Sequence, residues 1–224
     1  MNVTDAVNRR YSVRAFKPTP VPRETIETLL SAAARAPSGG NLQPWHVHVV
    51  GGRRLAALKA LMAERIATNP FGETPEYAVY PPSLKEPYRT RRFRCGEALY
   101  ESLGIARADK PGRLRQFARN YEFFEAPLAL FFTLDRDMGP GQWSDLGMYI
   151  QTLMLLAVEQ GLDTCAQESW AAWPETLGEF LALPETEMLF CGLACGERDD
   201  DHPINGWRTE RAPLNEWVIW HGDD

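Results

Sequence analysis

The chain lacks the features that mark membrane and secreted proteins. No window approaches the ~18 consecutive apolar residues that a transmembrane helix needs. The first ten residues include Asp5 and contain no apolar stretch, so we expect no secretory signal. Low-complexity tracts and internal repeats are absent from the 224 residues. We therefore expect a cytoplasmic protein that has no membrane partner.

Cysteine is scarce, and its pattern favours free thiols over disulfides or a metal site. The four cysteines are Cys95, Cys165, Cys191 and Cys195, and a reducing compartment would keep them unpaired. The spacing of Cys191 and Cys195 permits a metal pair. Both residues lie in an apolar stretch, however, and neither a histidine nor a second cysteine pair lies nearby at ligand spacing. We expect core cysteines and no metal.

Charge is distributed unevenly along the chain, although the net charge is only -6. Residues 1–121 hold 20 Lys and Arg against 10 Asp and Glu, whereas residues 122–224 hold 4 against 20. The basic half would suit an anionic ligand such as a phosphate, and mutual attraction of the two halves is an equally good interpretation. An acidic protein without a nucleic-acid motif is not expected to bind nucleic acid.

Hydrophobic spacing predicts alternating helices and strands. The expected helices are 2–9, 22–35, 53–67, 89–104, 112–124, 141–160 and 175–183, and the expected strands are 45–50, 127–134, 162–167 and 188–195. No linker divides the chain, so residues 1–224 are expected to form a single domain. The alternation predicts an α+β fold or a three-layer α/β sandwich.

Two apolar segments suggest an interface. The helix at 141–160 is almost entirely apolar from Met148 to Val158, which is typical of a helix at the centre of a core or of a large interface. The segment from Trp217 to Trp220 is too apolar to stay in water at a chain end. It would form an edge strand on its own sheet or wrap a partner subunit, and we favour the partner.

The middle of the chain is expected to be irregular and basic. Residues 69–88 contain five prolines, and Arg89, Arg91, Arg92 and Arg94 follow at once. Long irregular loops in compact domains are often functional lids. We expect a lid over 69–94 within a variable segment of about 69–120. The arginines would clamp an acidic substrate or the nucleotide's phosphate, or form a solvated helix face, which we favour.

Polar residues that suit a bound anion and a flat heteroaromatic group form three clusters. The first is an anion cradle at Arg10, Ser12 and Arg14, because guanidinium groups and a hydroxyl donate to phosphate oxygens. The second is the loop Pro37-Ser38-Gly39-Gly40-Asn41-Leu42-Gln43, whose glycines allow close approach and whose amides can bond a ring edge. The third comprises Gln167, Glu168 and Ser169 after a strand, with Arg211 as a further phosphate partner.

In this order the clusters resemble the nitroreductase family of flavoproteins. The matching motifs are Arg10-x-Ser12-x-Arg14-x-Phe16, then Pro37 to Trp45, and then Thr209-x-Arg211-x-Pro213. The resemblance covers nearly the whole chain and is weakest over about 65–120. Tyr11 within the first motif and Glu168 in the third cluster depart from the pattern of other members.

The resemblance implies a three-layer sandwich, in which helices flank a central, mostly antiparallel sheet, and an intertwined homodimer with FMN at the subunit interface. The phosphate and ribityl chain would be held by Arg10, Tyr11, Ser12, Arg14 and Arg211. The remaining cofactor-binding residues would be Pro37, Ser38, Gly39, Asn41 and Gln43, in part from the partner chain, and Gln167, Glu168 and Ser169.

The resemblance also implies a reaction. NADH or NADPH would donate hydride as co-substrate, and a nitroaromatic, quinone or similar electron-poor acceptor would then be reduced in ping-pong order. No catalytic side chain is predicted. Three alternatives stay open: a reductive dehalogenase or enone reductase on the same flavin, a non-catalytic FMN-binding protein, and a structural protein that lacks a cofactor.

Overall fold

A computed structural model describes residues 1–222, in which helices pack on both faces of one four-stranded sheet. The helices are α1 (Val3–Arg9), α2 (Arg23–Ala33), α3 (Gly52–Thr68), α4 (Tyr88–Glu101), α5 (Lys110–Ala118), α6 (Pro140–Glu159) and α7 (Pro174–Leu181). The strands are β1 (His46–Gly51), β2 (Leu128–Asp135), β3 (Asp163–Gln167) and β4 (Glu187–Gly196). The predicted α+β class is confirmed. Of the helices described, none has the length and hydropathy that crossing a bilayer requires.

The sheet is antiparallel throughout its four strands, in the order β1-β2-β4-β3. Strand β2 lies in the interior and is buried on both faces from Leu128 to Leu134, which explains its unbroken apolar sequence. Strand β3 lies at one edge. There Ser12 forms a parallel bridge with Thr164, so the N-terminal segment runs beside β3.

Two apolar cores, one on each face of the sheet, make the three layers that the sequence predicted. Alternate residues of β2 divide between them, since Phe131 belongs to one core and Phe132 to the other. The first core includes Leu58 of α3 and both Trp170 and Trp173. The second is built mainly by α2, α6 and the opposite faces of β2 and β4.

Helix α6 combines a buried face with an exposed apolar face. Leu146, Tyr149 and Leu153 are buried against the sheet. Met148 faces outward and is exposed. Its carbonyl accepts a hydrogen bond from the hydroxyl of Thr152, one helical turn later. The expectation of a helix central to the core is confirmed for its buried face.

One expectation about local structure is wrong, and one alternative for the tail is excluded. The helix expected at 112–124 ends at Ala118 and continues as a 3₁₀ segment, Arg119–Glu125, in which Phe123 and Phe124 have left-handed backbone (φ 53° for both). Both aromatic rings are buried, so core packing overrides helical spacing here. The apolar tail forms no strand within residues 1–222, which excludes the edge-strand interpretation. Trp217, Ile219 and Trp220 stay exposed on the single chain.

The first part of the irregular segment, residues 72–77, is held in place by contacts with Ala172, with the start of α7 and with β4. The carboxylate of Glu73 accepts hydrogen bonds from the backbone amides of Glu175 (2.8 Å) and Thr176 (3.1 Å) at the start of α7. Gly72 has a φ of 84° and lies so close to Ala172 that an added Cβ would sit 2.6 Å from its carbonyl oxygen. Tyr77 donates to the carbonyl of Phe190 in β4. A movable lid, as expected over 69–94, would therefore have to begin after Tyr77.

Candidate active site

The first predicted cluster lies along the free edge of β3. Helix α1 ends at Arg9, and the chain continues in extended form with the amide of Val13 donating to the carbonyl of Thr164 (3.1 Å). Val13 is fully buried, and Arg14 donates from its guanidinium to the carbonyl of Ser12 (3.1 Å). The segment is thus fixed by the strand, and its polar groups lie at the sheet edge.

The buried side-chain amide of Asn205, which no sequence motif indicated, holds this segment on its other side. The side-chain oxygen of Asn205 accepts from the amide of Arg14, and its nitrogen donates to the carbonyls of Ala15 (2.9 Å) and Asp199 (2.8 Å). The hydroxyl of Tyr11 donates to the carbonyl of Asn205 (3.0 Å). Asn205 stands in an ordinary Pro-Ile-Asn-Gly turn, so no local signal marked it.

Three arginines converge beside this segment. Burial, followed by the positive charges of Arg211 and Arg208, lowers the pKa of Arg10. Arg208 donates to the carbonyls of Asn8 and Arg9 at the end of α1, and its guanidinium lies 4.9 Å from the centre of the Tyr11 ring. Among residues 1–222, none of the three arginines forms a salt bridge. Like charges held together without a carboxylate are typical of an anion site.

The third cluster occupies the end of β3, where buried polar atoms lack partners. Gln167 donates through Nε2 to the carbonyl of Asn120 (2.7 Å), but its Oε1 has no partner within residues 1–222. The same holds for the buried hydroxyls of Ser169 and Thr164. Such groups are costly to bury unsatisfied, so each is a place where a ligand can supply the missing bond.

The carboxyl group of Glu168 belongs to the same strand end. Partial burial raises its pKa above the ordinary value, although its side chain remains exposed. The next residues turn inward, and Trp170 and Trp173 are almost completely buried. The strand end therefore presents Glu168 at the surface of a rigid aromatic core, with Ser169 half-buried beside it.

The residues predicted to bind a phosphate lie beside the first part of β3, and those predicted to bind a ring lie at its C-terminal end. Burial raises the pKa of the Cys165 thiol and the nearby Arg14 and Arg10 oppose that shift, so these arginines approach β3 near Cys165. Gln167 and Ser169 lie at the C-terminal end of the strand. At ~3.3 Å per residue, the strand from Thr164 to Glu168 spans roughly 13 Å. An elongated ligand with an anionic end and a polar, flat head fits this arrangement.

The second predicted cluster, the loop 37–43, is held by α6 and not by β3. The amide of Gly39 donates to the buried carboxylate of Asp145 (3.1 Å), and the amide of Gln43 donates to the Ser38 hydroxyl (3.0 Å). Asn41 and Gln43 have left-handed backbone, with φ of 57° and 51°. Non-glycine residues in this strained region are frequent at ligand sites.

A single described chain does not bring all three clusters together. The hydrogen bonds of the 37–43 loop stay within the loop or reach Asp145, and none in the described range reaches the arginines or the end of β3. Most of the loop is exposed. The first and third clusters are therefore joined by β3, whereas no hydrogen bond among residues 1–222 joins the second cluster to either of them.

Comparison with known proteins decides the family. The model of the nitroreductase family matches residues 7–197, a range that includes the first two clusters and the end of β3. The chain belongs to the nitroreductase family. The resemblance seen in the motifs is thereby confirmed.

Two curated relatives of this nitroreductase-family chain are 4-nitrobenzoate reductases. The protein from Nocardioides sp. (strain LMS-CY) is 40% identical over 98% of this chain and 91% of its own length. That from Pseudomonas putida is 38% identical over 97% and 95%, respectively.

Solved structures extend the similarity to the fold. The FMN- and NADPH-dependent nitroreductase NfnB from Sphigopyxis sp. strain HMH is 48% identical over all of both chains, with a TM-score of 0.97. NfnB from Mycobacterium smegmatis, solved in complex with NADPH, has 30% identity over 99% of this chain and 100% of its own, with a TM-score of 0.92.

Proposed function

We propose that this chain is an FMN-dependent NAD(P)H oxidoreductase that reduces nitroaromatic, quinone or similar electron-poor acceptors. The observation that carries the proposal is the convergence of Arg10, Arg208 and Arg211 beside β3, with unpartnered polar atoms at the end of that strand. A phosphate at the arginines and a flavin head at Gln167 and Ser169 would satisfy both groups of residues. The names of the relatives support the nitroaromatic acceptors and the choice of FMN and NADPH.

The residues present fit FMN. The phosphate would be held by Arg10, Ser12, Arg14 and Arg211, with Tyr11 beside the ribityl chain and Arg208 added to the set predicted from sequence. The ring would lie against Gln167, Glu168 and Ser169. The remaining contacts with FMN, in part from the partner chain, are assigned to Pro37, Ser38, Gly39, Asn41 and Gln43.

A homodimer is part of the proposal because a single chain does not connect the 37–43 loop with the other two clusters. Its support is the exposed apolar surface: Met148 on α6 and Val3 and Val7 on α1 face outward, as do the tail residues Trp217 and Trp220. Two copies related by a twofold axis would cover these side chains and place loop 37–43 of one chain against β3 of the other. We propose that the tail wraps the partner subunit.

When bound, FMN supplies the redox chemistry by taking hydride from NADPH or NADH and passing reducing equivalents to the acceptor. The chain's own residues bind and orient the reacting groups. The arginines fix the anionic end, Gln167 is held rigid by Asn120, and the buried Trp170 and Trp173 exclude water beneath the strand end. No side chain is required as a nucleophile or metal ligand.

Two further expectations are retained in the proposal. We propose one domain for residues 1–224, supported by a single sheet whose two cores draw on helices from both halves of the described chain. We also propose a cytoplasmic protein. Its support is the state of the cysteines: all four are free, and Cys165, Cys191 and Cys195 are buried in the apolar interior, as expected.

The test is the visible absorption spectrum of the purified protein, recorded before and after anaerobic addition of NADPH or NADH and again after a nitroaromatic acceptor. We expect flavin bands that bleach with nucleotide and return with acceptor. Bands that persist with both nucleotides would leave a flavin-binding protein without this activity. A protein that shows no flavin band after incubation with FMN would refute the proposal.

A further inference from the structure

A large basic cavity separates α4 from the segment that carries Arg208 and Arg211. Its volume is about 1150 Å³, which is far more than one phosphate group needs. Arg91 and Arg94 line it from α4, while Trp207 and Trp217 line it from the other side. The cavity therefore lies between helix α4 and two arginines of the proposed phosphate site, Arg208 and Arg211.

Most cations of this cavity already have partners. Arg91 forms a salt bridge with Glu216 (2.7 Å), and Arg208 donates to the carbonyls at the end of α1. Arg211 donates to the Thr209 hydroxyl (2.7 Å) and is assigned to the phosphate. The side chain of Arg94 forms no hydrogen bond or salt bridge to any residue in the described range 1–222, and it is exposed.

The neighbouring arginines of α4 differ from Arg94 in where they lie. Arg89 pairs with Glu86 (2.7 Å), and the guanidinium of Arg92 lies 4.1 Å from the centre of the Tyr80 ring. Neither lines the cavity. Arg91 and Arg94 share one helical face because they are three residues apart. The basic run is thus only in part a solvated helix face, since one face of α4 points into a ligand-sized cavity.

We infer that Arg94 binds the carboxylate of an aromatic acceptor, so that the chain prefers nitroaromatic acids to neutral nitroaromatics. A guanidinium matches a carboxylate with two parallel donors, and the nearby indole of Trp207 offers flat apolar surface to an aromatic ring. This inference rests on the proposed function and names the substrate class of that site.

The experiment compares two acceptors of nearly equal shape, 4-nitrobenzoate and the neutral 4-nitrobenzamide, in the holoenzyme. Replacement Arg94→Ala should lower kcat/KM for the acid by about 10- to 100-fold and change that for the amide by less than about 2-fold. Arg94→Lys should retain part of the preference because it keeps the charge. The matched control is Arg89→Ala, on the same helix but outside the cavity, which should change neither value.

Each other outcome has a defined meaning. Equal losses for acid and amide in Arg94→Ala would overturn the inference and leave the proposed function intact. Loss of bound FMN would assign Arg94 to the flavin phosphate, and a higher KM for NADPH but not for NADH would assign it to the nucleotide, so both would overturn the inference. A wild-type protein that reduces neither acceptor would overturn the inference, and the proposed function would fall with it if quinones were not reduced either.

Discussion

The backbone amide of Arg14 and the side-chain oxygen of Asn205 form a hydrogen bond of 2.9 Å across 191 positions of the sequence. The other end of the same amide side chain holds Ala15 and Asp199. Asn205 therefore fixes the arginine-bearing N-terminal segment against the loop that follows β4. The proposed anion site depends on a residue that positions other residues and does not itself bind the ligand.

Replacement Asn205→Ala should lower the free energy of unfolding by about 2–4 kcal/mol. The substitution leaves the amide of Arg14 and the carbonyl of Asp199 without partners, while the carbonyl of Ala15 keeps its bond from the amide of Asp199. Each unsatisfied buried group costs about 1–3 kcal/mol before relaxation. Urea unfolding of flavin-free protein measures this loss without the contribution of the ligand. The exposed Asn215 offers a control, since Asn215→Ala should change stability by less than about 0.5 kcal/mol. Equal effects of both replacements would refute the positioning role.

Replacement Arg211→Ala should weaken FMN binding by about 10- to 100-fold and leave riboflavin binding unchanged. A charge-assisted hydrogen bond contributes about 1.5–3 kcal/mol, and riboflavin lacks the phosphate that would accept it. Within residues 1–222, the guanidinium of Arg211 bonds only to its own segment, at Thr209 and Glu210, so the fold should be kept. Flavin fluorescence titrations of the apoprotein give both affinities.

The control for this titration is Arg53→Ala on the exposed start of α3, which should change neither affinity. A loss shared equally by FMN and riboflavin would place Arg211 away from the phosphate. The salt dependence provides a second criterion, because the affinity for FMN should fall with ionic strength more steeply in the wild type than in Arg211→Ala.

The carboxylate of Glu187 should make stability depend on pH. Burial opposes its ionisation, but hydrogen bonds from Thr133 and His48 outweigh burial, and the pKa of Glu187 is lowered from 4.5. A lowered folded pKa gives stability that is present above the unfolded pKa and is lost as pH falls through the folded pKa. The stability difference between wild type and Glu187→Gln should thus be large at about pH 5.5 and shrink toward about pH 3. Urea unfolding at both pH values measures it, and a constant difference would contradict the assignment.

Truncation before Trp217 should convert a dimer to monomer. The exposed Trp217, Ile219 and Trp220 offer apolar surface that water does not favour, and burying it against a partner would contribute about 25 cal/mol per Å². Sedimentation velocity of the full chain and of a chain that ends at Glu216 gives the assembly of each. A full-length protein that sediments as a monomer would refute the dimer, and a truncated protein that stays dimeric would place the interface on α1 and α6 alone.

The sequence predicted strands and helices well where one pattern dominates, and failed where distant packing decides. Strand β2 was predictable from its apolar run alone. The end of α5 was not, because Phe123 and Phe124 keep helical spacing while the core draws both rings inward through left-handed backbone. Motifs located Arg10 and Gln167, whereas Asn205 and Asn120 act on Arg14 and Gln167, which lie 191 and 47 positions away.

The contact between Gly192 and Trp170 supports the strand end that carries Ser169. A Cβ added at Gly192 would lie 2.9 Å from Nε1 of Trp170 and closer still to its Cδ1, and Trp170 is fully buried between Phe123 and Phe131. The indole has no room to retreat. Replacement Gly192→Ala should therefore lower the free energy of unfolding by about 1–3 kcal/mol through overpacking, and weaken FMN and riboflavin binding alike because the ring site moves.

A second glycine makes the matched control. Gly178 lies inside α7 with nothing within 4 Å of an added Cβ, so Gly178→Ala should leave flavin affinity unchanged and raise stability by up to about 1 kcal/mol, since alanine favours helix. Thermal unfolding and flavin titration of both variants decide the matter. If Gly192→Ala kept wild-type affinity for both flavins, the strand end would be independent of Trp170, and the ring would have to be held by other residues.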